Sequence, residues 1–573
     1  MFWKTKVIYE FGPFRVDPRE RRLLRDGEVV PLTPKVFDVL LALVQNGGHI
    51  LSKDELMKLV WADTAVEPGN VARNISTLRT ALGQKSGEPK YIETIPWRGY
   101  RFVEPVRQVH DNAERRRLDA VIVLPFVNVD GDPHLEFLSE GITEGLINSL
   151  SQLAGLRVMS RNSSFRYRSQ NVSATALGRD FKVQGVIAGR VTKHDEMLSI
   201  SIELIDARDD THVWGAQHVR HLAETLTMPA MIAEEITEQL RLNLTSAEQR
   251  RLTRRLTDNA DAYRLYLLGR YYFNKLTPDG VEKGLEHFRQ AIEKDPHYAL
   301  AYAGLADCHN YSMKREQARE AVSKALELDE ELGEAHATLG FSRFLYDWDF
   351  AGAESAFKRA VTLSPNYAEA HHWYAIYLAN LGRHEESFRE AELAVERDPL
   401  SLLMNMTAAL NFYLARQYAQ AIAQLHKVIE MEVNFPAAHS VLGCVYAQMQ
   451  MYREALAEYD KVLDLFKEVP AVENSVKVLK AQAYGRWGKS NQALRLLDEV
   501  DASVVSPYSV AGVYAALGDH DKAFAALEKA LTQHDMQLVS LKVDPTLDGL
   551  RDDARFAQHI SRVGLPCCST GAV

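Results

Sequence analysis

The sequence predicts a multidomain chain with an α+β head, an α/β middle segment and an all-α solenoid. Three observations carry this. Residues 1–107 mix short alternating runs with three helical stretches. A continuous apolar run, DAVIVLPFVNV, opens a region where strand and helix spacings alternate. From residue 260 a pattern of about 34 residues repeats.

The head begins with FGPFRVD, RRLLRDG and EVVPL, read as a small antiparallel sheet with a turn at Asp26-Gly27. Thr33 is placed to cap a helix that starts at Pro34 and ends at Gly47-Gly48, with Val36, Phe37, Leu40, Leu41 and Val44 as its apolar stripe. Ser52 and Glu55 form a capping box for a second helix that reaches Trp61. A third helix spans about Pro68 to Leu82, with Val71, Ile75, Leu78 and Leu82 on one face. Its other face carries Asn70, Arg73, Asn74, Thr77 and Thr80, with Arg79 at the boundary and no carboxylate. Such a face suits phosphates, and Asn and Arg can read base edges; a merely solvated face is the alternative. The stretch YIETIPWRGYRFV then reads as a hairpin broken at Pro96 and Gly99, with Trp97 and Arg98 at the tip.

In order and spacing, this head resembles the winged helix-turn-helix effector domain of OmpR/PhoB-type transcription regulators. The resemblance rests on LSKDELMKLVW, NISTLRTALG and IETIPWRGYRFV. It implies that the third helix enters the major groove and that the hairpin wing lies along the minor groove. The DNA-binding residues expected on this basis are Trp61, Asn70, Arg73, Asn74, Thr77, Arg79, Thr94, Arg98, Tyr100 and Arg101. Thr94, Tyr100 and Arg101 are expected to touch phosphate or brace the wing, and Trp61 to lie near the DNA backbone. Thr77, Pro96 and Trp97 depart from the family's basic-glycine pattern, which leaves the target sequence open.

Residues 108–118 read as a polar linker, in which Arg115 to Arg117 offer a further phosphate contact or simply a solvated run. Over 119–250, LRVMS reads as a second strand, the stretch from Gly185 as a hairpin or meander turning near His194-Asp195, and about Leu222 to Leu244 as a helix. VLPFVNVDGDP, FLSEGITEGLINSL and LIDARDDTHVWG resemble the TolB-amino-terminal-like domain. NVDGDP (128–133) and SRNSS (160–164) are two polar stretches that offer ligand turns or plain turns.

Over 260–536, units begin near 260, 299, 333, 368, 402, 436, 471 and 504. Small residues hold fixed places: Gly340, Ala375, Ala409 and Gly443 in one, Ala353, Ser387, Ala421 and Ala455 in another. This resembles tetratricopeptide repeats, which implies a superhelical stack whose concave groove takes a protein or peptide. Residues 537–573 read as a cap, a helix pair or terminal segment, and tail.

Net charge is −10, yet residues 1–107 hold 17 lysines and arginines against 13 acids, so the acidity lies in the rest of the chain. Four cysteines make no disulfide framework, and Cys567-Cys568 lack metal-ligand spacing. No apolar run approaches the ~18 residues that span a bilayer, and the start is too short and charged for a secretory signal, so a cytoplasmic location without membrane contact is expected. There is no G-x-x-x-x-G-K-[ST], H-E-x-x-H or G-x-S-x-G, so no catalytic residue, metal or cofactor is expected.

The arrangement resembles CadC/HilA-type regulators. It implies a one-component transcription regulator that binds double-stranded DNA and senses or recruits a protein partner, with RNA polymerase and a homodimer on DNA as further expectations. No receiver segment precedes the head, so control by aspartyl phosphorylation is not expected. Two other readings stand beside this one: a repeat scaffold whose head binds protein, and a small-molecule sensor in the middle segment.

Overall fold

The computed structural model describes residues 7–18, 21–25, 28–61, 69–84, 91–110, 118–168, 172–194, 197–221, 228–254, 257–275, 277–312, 314–466 and 469–566. The turns expected at Asp26-Gly27 and His194-Asp195, the start at Pro68, Arg115 to Arg117 and Cys567-Cys568 fall wholly or partly outside them. Two compact units divide between Arg117 and Leu118.

In the first unit, β1 (Val7–Phe11), β2 (Phe14–Asp17), β3 (Arg22–Arg25) and β4 (Glu28–Val30) form a meander, and β8 (Arg107–His110) returns antiparallel to β1. That last strand replaces the start of the expected linker. The 108–110 stretch pairs with the chain's first strand, which polarity alone does not reveal. Phe11, Phe14, Tyr91 and Phe102 meet as a ring cluster beneath the sheet.

Helix α1 (Pro34–Gln45) is buried from Val36 through Val44, Asp38 included, so its expected stripe widens to nearly the whole surface. Asp38 is held there by Arg21 at 2.5 Å. Thr33 stands at the N-cap but makes no side-chain cap bond; Pro34, which has no N–H to satisfy, starts the helix. Helix α2 (Lys53–Val60) has the full capping box: Glu55 N donates to Ser52 Oγ, and Ser52 N donates to Glu55 Oε2. Helix α3 (Gly69–Ala81) follows, then a sheet ordered β5 (Ile50–Leu51), β7 (Gly99–Phe102), β6 (Ile92–Ile95).

The second unit opens with β9 (Ala120–Val123), β10 (Val127–Asn128), α4 (Pro133–Ser151), β11 (Arg157–Val158), α5 (Arg161–Phe165) and α6 (Ala174–Phe181). Strands β12 (Gly185–His194), β13 (Met197–Asp206) and β14 (Thr211–His221) complete a mixed sheet ordered β11-β9-β12-β13-β14. The first three are parallel and the last three antiparallel. Helix α6, which the sequence reading passed over, buries Leu177 and Phe181. The helix expected from about Leu222 to Leu244 is α7 (Met228–Gln239), which ends sooner, while its expected start at 222–227 lies outside the described residues; beyond it α8 (Ser246–Leu252) begins at a capping box of Thr245 and Glu248.

Eight antiparallel helix pairs follow: α9 (Ala260–Phe273) with α10 (Pro278–Lys294), α11 (Ala299–Tyr311) with α12 (Arg315–Leu328), α13 (Gly333–Ser342) with α14 (Phe350–Leu363), and α15 (Ala368–Asn380) with α16 (His384–Arg397). Then come α17 (Leu402–Leu414) with α18 (Tyr418–Met431), α19 (Pro436–Gln448) with α20 (Tyr452–Leu465), α21 (Pro470–Arg486) with α22 (Ser490–Asp498), and α23 (Pro507–Leu517) with α24 (His520–Thr532). The third unit is one residue longer than 34, and a π turn at Arg343–Asp347 absorbs the extra residue before Trp348 turns left-handed at φ 54°. The small positions are needed: a Cβ on Gly443 would lie 2.3 Å from Tyr459 Cε1, and one on Gly340 2.8 Å from Phe357.

A polar clasp recurs with the period. His371 Nε2 meets Pro365 O and its Nδ1 meets Glu390, and His439 likewise meets Val433 O and Glu458. Between them Asn405 donates to Pro399 O and receives Gln424. Adjacent His372 points elsewhere, to Thr407.

The chain itself covers both ends of the repeats' first helices. The first helices present their N-terminal ends to the middle segment. Asn366 donates to the Leu153 and Leu156 carbonyls, Ser160 N donates to Arg397 O, and Ser163 Oγ donates to buried Asp398. At their C-terminal ends lies a segment of two 3-10 turns, Met536–Ser540 and Pro545–Leu550, followed by α25 (Ala554–Val563). Ser540 Oγ donates to Asn380, Lys542 Nζ to Leu381 O, Arg416 to Asp548 and Arg486 to Pro545 O. Leu538, Leu541, Leu547 and Leu550 are fully buried beneath it. Of the two expected forms, a helix pair or a terminal cap, the chain forms the second, built from these turns and one helix.

Candidate nucleic-acid interface

Helix α3 turns Val71, Ile75 and Leu78 into the head core. Arg73, Thr77 and Thr80 are exposed on the opposite side and, at 100° per residue, lie within about 60° of one another. No carboxylate stands on the helix. Asn70 and Asn74 are half-buried at the flank, where Asn74 Nδ2 donates to Asn70 O. Thr77 Oγ1 donates to Arg73 O, so its hydroxyl is held against the helix. Arg73 makes no ion pair among the described residues.

Arg79 has another task. Its Nη2 donates to Ile92 O (3.0 Å) and Thr94 Oγ1 (2.8 Å), so both expected contact residues are spent joining α3 to the wing. Gln84, which the sequence reading did not single out, closes the same seam: Nε2 donates to Ile92 O, and Oε1 accepts from the Tyr91 and Ile92 amides. A lone Gln three residues past a helix carries no local signal of this.

Three further residues take places within the head, and for Tyr100 and Arg101 this is the bracing that was one of their two expected roles. Tyr100 is only 6% exposed and belongs to the core with Phe102. Trp61 is 8% exposed and packs inward, with the Lys35 ammonium 5.8 Å from its ring, rather than turning to a duplex. Arg101 forms a cross-strand pair with Glu93 at 2.6 Å, so a carboxylate already occupies its guanidinium.

At the tip, Arg98 N donates to Ile95 O, closing a turn with Pro96 second and Trp97 third. Trp97 has φ 64° and Gly99 φ 138°. A Cβ on Gly99 would collide with the Leu51 carbonyl oxygen. Trp97 and Arg98 are both exposed.

The two candidate ligand stretches of the middle segment are structural. Asn128 and Asp130 fold NVDGDP onto itself and onto Lys193 N, and SRNSS caps α5 and docks on Asp398. A cavity of about 270 Å³ does exist where α4, α7 and α8 meet the first repeats. It is lined by Glu144, Met231, Tyr263, Tyr266, Arg270 and Glu334 among others. Glu144 accepts from Arg161, Arg270 and Asn274; burial raises its pKa, and the two arginines overcome this and hold it below the ordinary value. Burial pushes the Cys308 thiol up to about 12 and Cys444 to about 11. Among the described residues no cluster of His, Cys, Asp or Glu could hold a metal, and no helix is long and apolar enough to cross a membrane.

Residues 27–102 match the family described as transcriptional regulatory protein, C terminal. The head is an OmpR/PhoB-type DNA-binding domain. Residues 119–239 of this regulator-type chain match the HilA/YgeH-like transcriptional regulator second domain, and 436–468 and 508–533 match the tetratricopeptide repeat. The chain is homologous to HilA and CadC. The transcriptional regulator HilA of Salmonella typhimurium is 27% identical over 401 residues, 67% of this chain and 70% of that one. The transcriptional activator CadC of Escherichia coli is 35% identical over 100 residues, 17% of this chain and 20% of that one. A putative adenylate cyclase of Rhizobium meliloti is 31% identical over 190 residues, 33% of this chain and 32% of that one. Among solved structures, the CadC DNA-binding domain is 34% identical, with TM-score 0.17, and covers 18% of this chain and 96% of that one.

Proposed function

We propose that this chain regulates transcription as a one-component, non-enzymatic DNA-binding protein of the cytoplasm. Arg73, Thr77, Asn70 and Asn74 face the major groove and Arg98 the minor groove. Arg79, Thr94, Tyr100, Trp61 and Arg101 hold the surface in shape. The observation that carries this reading is the acid-free exposed face of α3, bolted by Arg79 and Gln84 to a wing whose tip offers Arg98. Positive side chains without competing carboxylates are what a phosphate-lined groove selects.

A mobility-shift titration with the full chain tests it. Binding that weakens linearly in log salt supports the reading, and a flat response favours the scaffold. A homodimer on tandem half-sites and contact with RNA polymerase belong to the same proposal. The repeats suit a protein partner, which would engage their exposed surface or displace the terminal segment.

The cavity beside Glu144 favours a second reading, a small-molecule signal read where the middle segment meets the repeats. Thermal stabilisation of the full chain by a compound, lost in Glu334→Leu, would support it; no stabilisation across a metabolite panel would remove it.

A further inference from the structure

Among the described residues Trp97 is 105% exposed, while the next most exposed large hydrophobic, Val433, is at 65%. Its backbone occupies the third position of a turn at φ 64°, a place suited to glycine or asparagine. Neither fact helps the head fold: the indole buries nothing and its conformation is unfavourable for any residue with a Cβ. The turn is nonetheless fixed at both ends. Pro96 locks its own φ, and Gly99 is pressed against the Leu51 carbonyl where no side chain fits. Strain retained on a rigid, fully exposed aromatic points to a contact made outside the chain.

We propose that the Trp97 indole is a minor-groove wedge. In the DNA complex it enters beside the Arg98 guanidinium, packs on the deoxyribose walls and partly unstacks a flexible base step. The proposal rests on the DNA-binding reading and goes beyond it by giving the apolar residue its own role. Three features favour DNA over a protein surface. The next residue is an exposed arginine. The wing is tied through Arg79 to the acid-free helix face. The tip is also slender, with Pro96 and Gly99 beside the two large side chains, as a groove about 6 Å wide requires.

The test uses the full chain and a labelled duplex carrying 2-aminopurine at a central TA step. Trp97→Gly is the informative variant, because glycine relieves the positive φ and loss of binding then cannot be blamed on unfolding. It is expected to weaken binding about tenfold, the scale of one lost aromatic stack, with an unchanged salt dependence. Arg98→Ala should instead flatten the salt dependence by about one unit of slope. Wild type brightens the 2-aminopurine and Trp97→Gly does not. Wild-type affinity and wild-type brightening in Trp97→Gly overturn the wedge. Normal DNA binding with lost reporter regulation also overturns it and assigns the tip to a protein contact. If wild type shows no salt-dependent binding, it is the DNA-binding reading that fails.

Discussion

Arg79 on α3 and Thr94 on the wing are joined by a 2.8 Å hydrogen bond, and the same guanidinium also donates to Ile92 O. The helix and the hairpin are therefore one surface rather than two. Removing the guanidinium takes away two charge-assisted hydrogen bonds, the one to Thr94 Oγ1 and one of the two side-chain donors on Ile92 O, with Gln84 Nε2 remaining, a loss of about 1.5–3 kcal/mol. Arg79→Ala is expected to speed hydrogen exchange across β6 and β7 and weaken DNA binding for every sequence alike. Sequence-selective loss, with exchange unchanged, would return Arg79 to base reading.

Arg73, Arg98 and Arg101 should separate in a salt titration. Arg73→Ala is expected to cost about 1–3 kcal/mol and relax base preference. Arg98→Ala should reduce the salt slope. Arg101→Ala removes a guanidinium already paired with Glu93 and should leave the slope as it was. A slope change with Arg101→Ala would show that its pair opens on DNA.

The periodic parts of this chain were legible because burial repeats with the helix or the repeat. The row Val71, Ile75, Leu78 and the small positions at Gly340 and Gly443 are local patterns with one physical cause. Long-range partnerships were not legible. Thr94 reads as a free hydroxyl until Arg79, fifteen residues earlier, is seen on it, and Ser163 reads as a loop residue until Asp398 is. The pairing of β8 with β1 spans almost the whole head, so polar composition made a strand look like a linker. Trp61 and Tyr100 were given roles by family position, while their burial depends on contacts that no spacing encodes.

Asn366 ties the middle segment to the repeats through one amide, donating to Leu153 O and Leu156 O and accepting from Val158 N. Asn366→Ala takes the amide from Leu156 O and from Val158 N, while Leu153 O keeps Leu156 N, and each buried group left without a partner costs about 1–3 kcal/mol. Limited proteolysis should then cut between α4 and β11 sooner than in wild type. Unchanged cleavage would mean the contact is redundant.

Gly443 touches the Tyr459 ring so closely that even a methyl needs the paired helices to part. Gly443→Ala is expected to destabilise the second unit by about 1–3 kcal/mol in denaturant melts followed by circular dichroism. Ala375→Gly at the matching place in another unit creates no clash and should cost about 1 kcal/mol through helix propensity alone. Propensity alone would make Gly443→Ala stabilising by about 1 kcal/mol, so a gain in stability there would show that the Tyr459 ring gives way at little cost.

Glu369 gives the second unit an unusual pH response. Its carboxyl, set against the repeats with Asp398 and Asp307 in its surroundings, is pushed up to about 7, by lost hydration first and the Asp398 charge next. Burial also raises Asp307 and Glu334. In the unfolded chain such carboxyls titrate near 4, about their ordinary value. Between that value and about 7 this carboxyl binds more protons in the folded state than in the unfolded one, and its contribution to stability falls as pH rises through the window. Glu144, lowered by its arginines, acts only at or below the ordinary carboxyl range, whereas burial lowers His372 to about 4 and gives the opposite slope up to the ordinary imidazole value, so the Glu369 contribution is read from the difference between variant and wild type. Glu369→Gln is expected to melt higher than wild type at about pH 8, to match it near pH 4, and to show a flatter profile between. A variant that tracks wild type throughout would mean that the carboxyl keeps its charge in the fold.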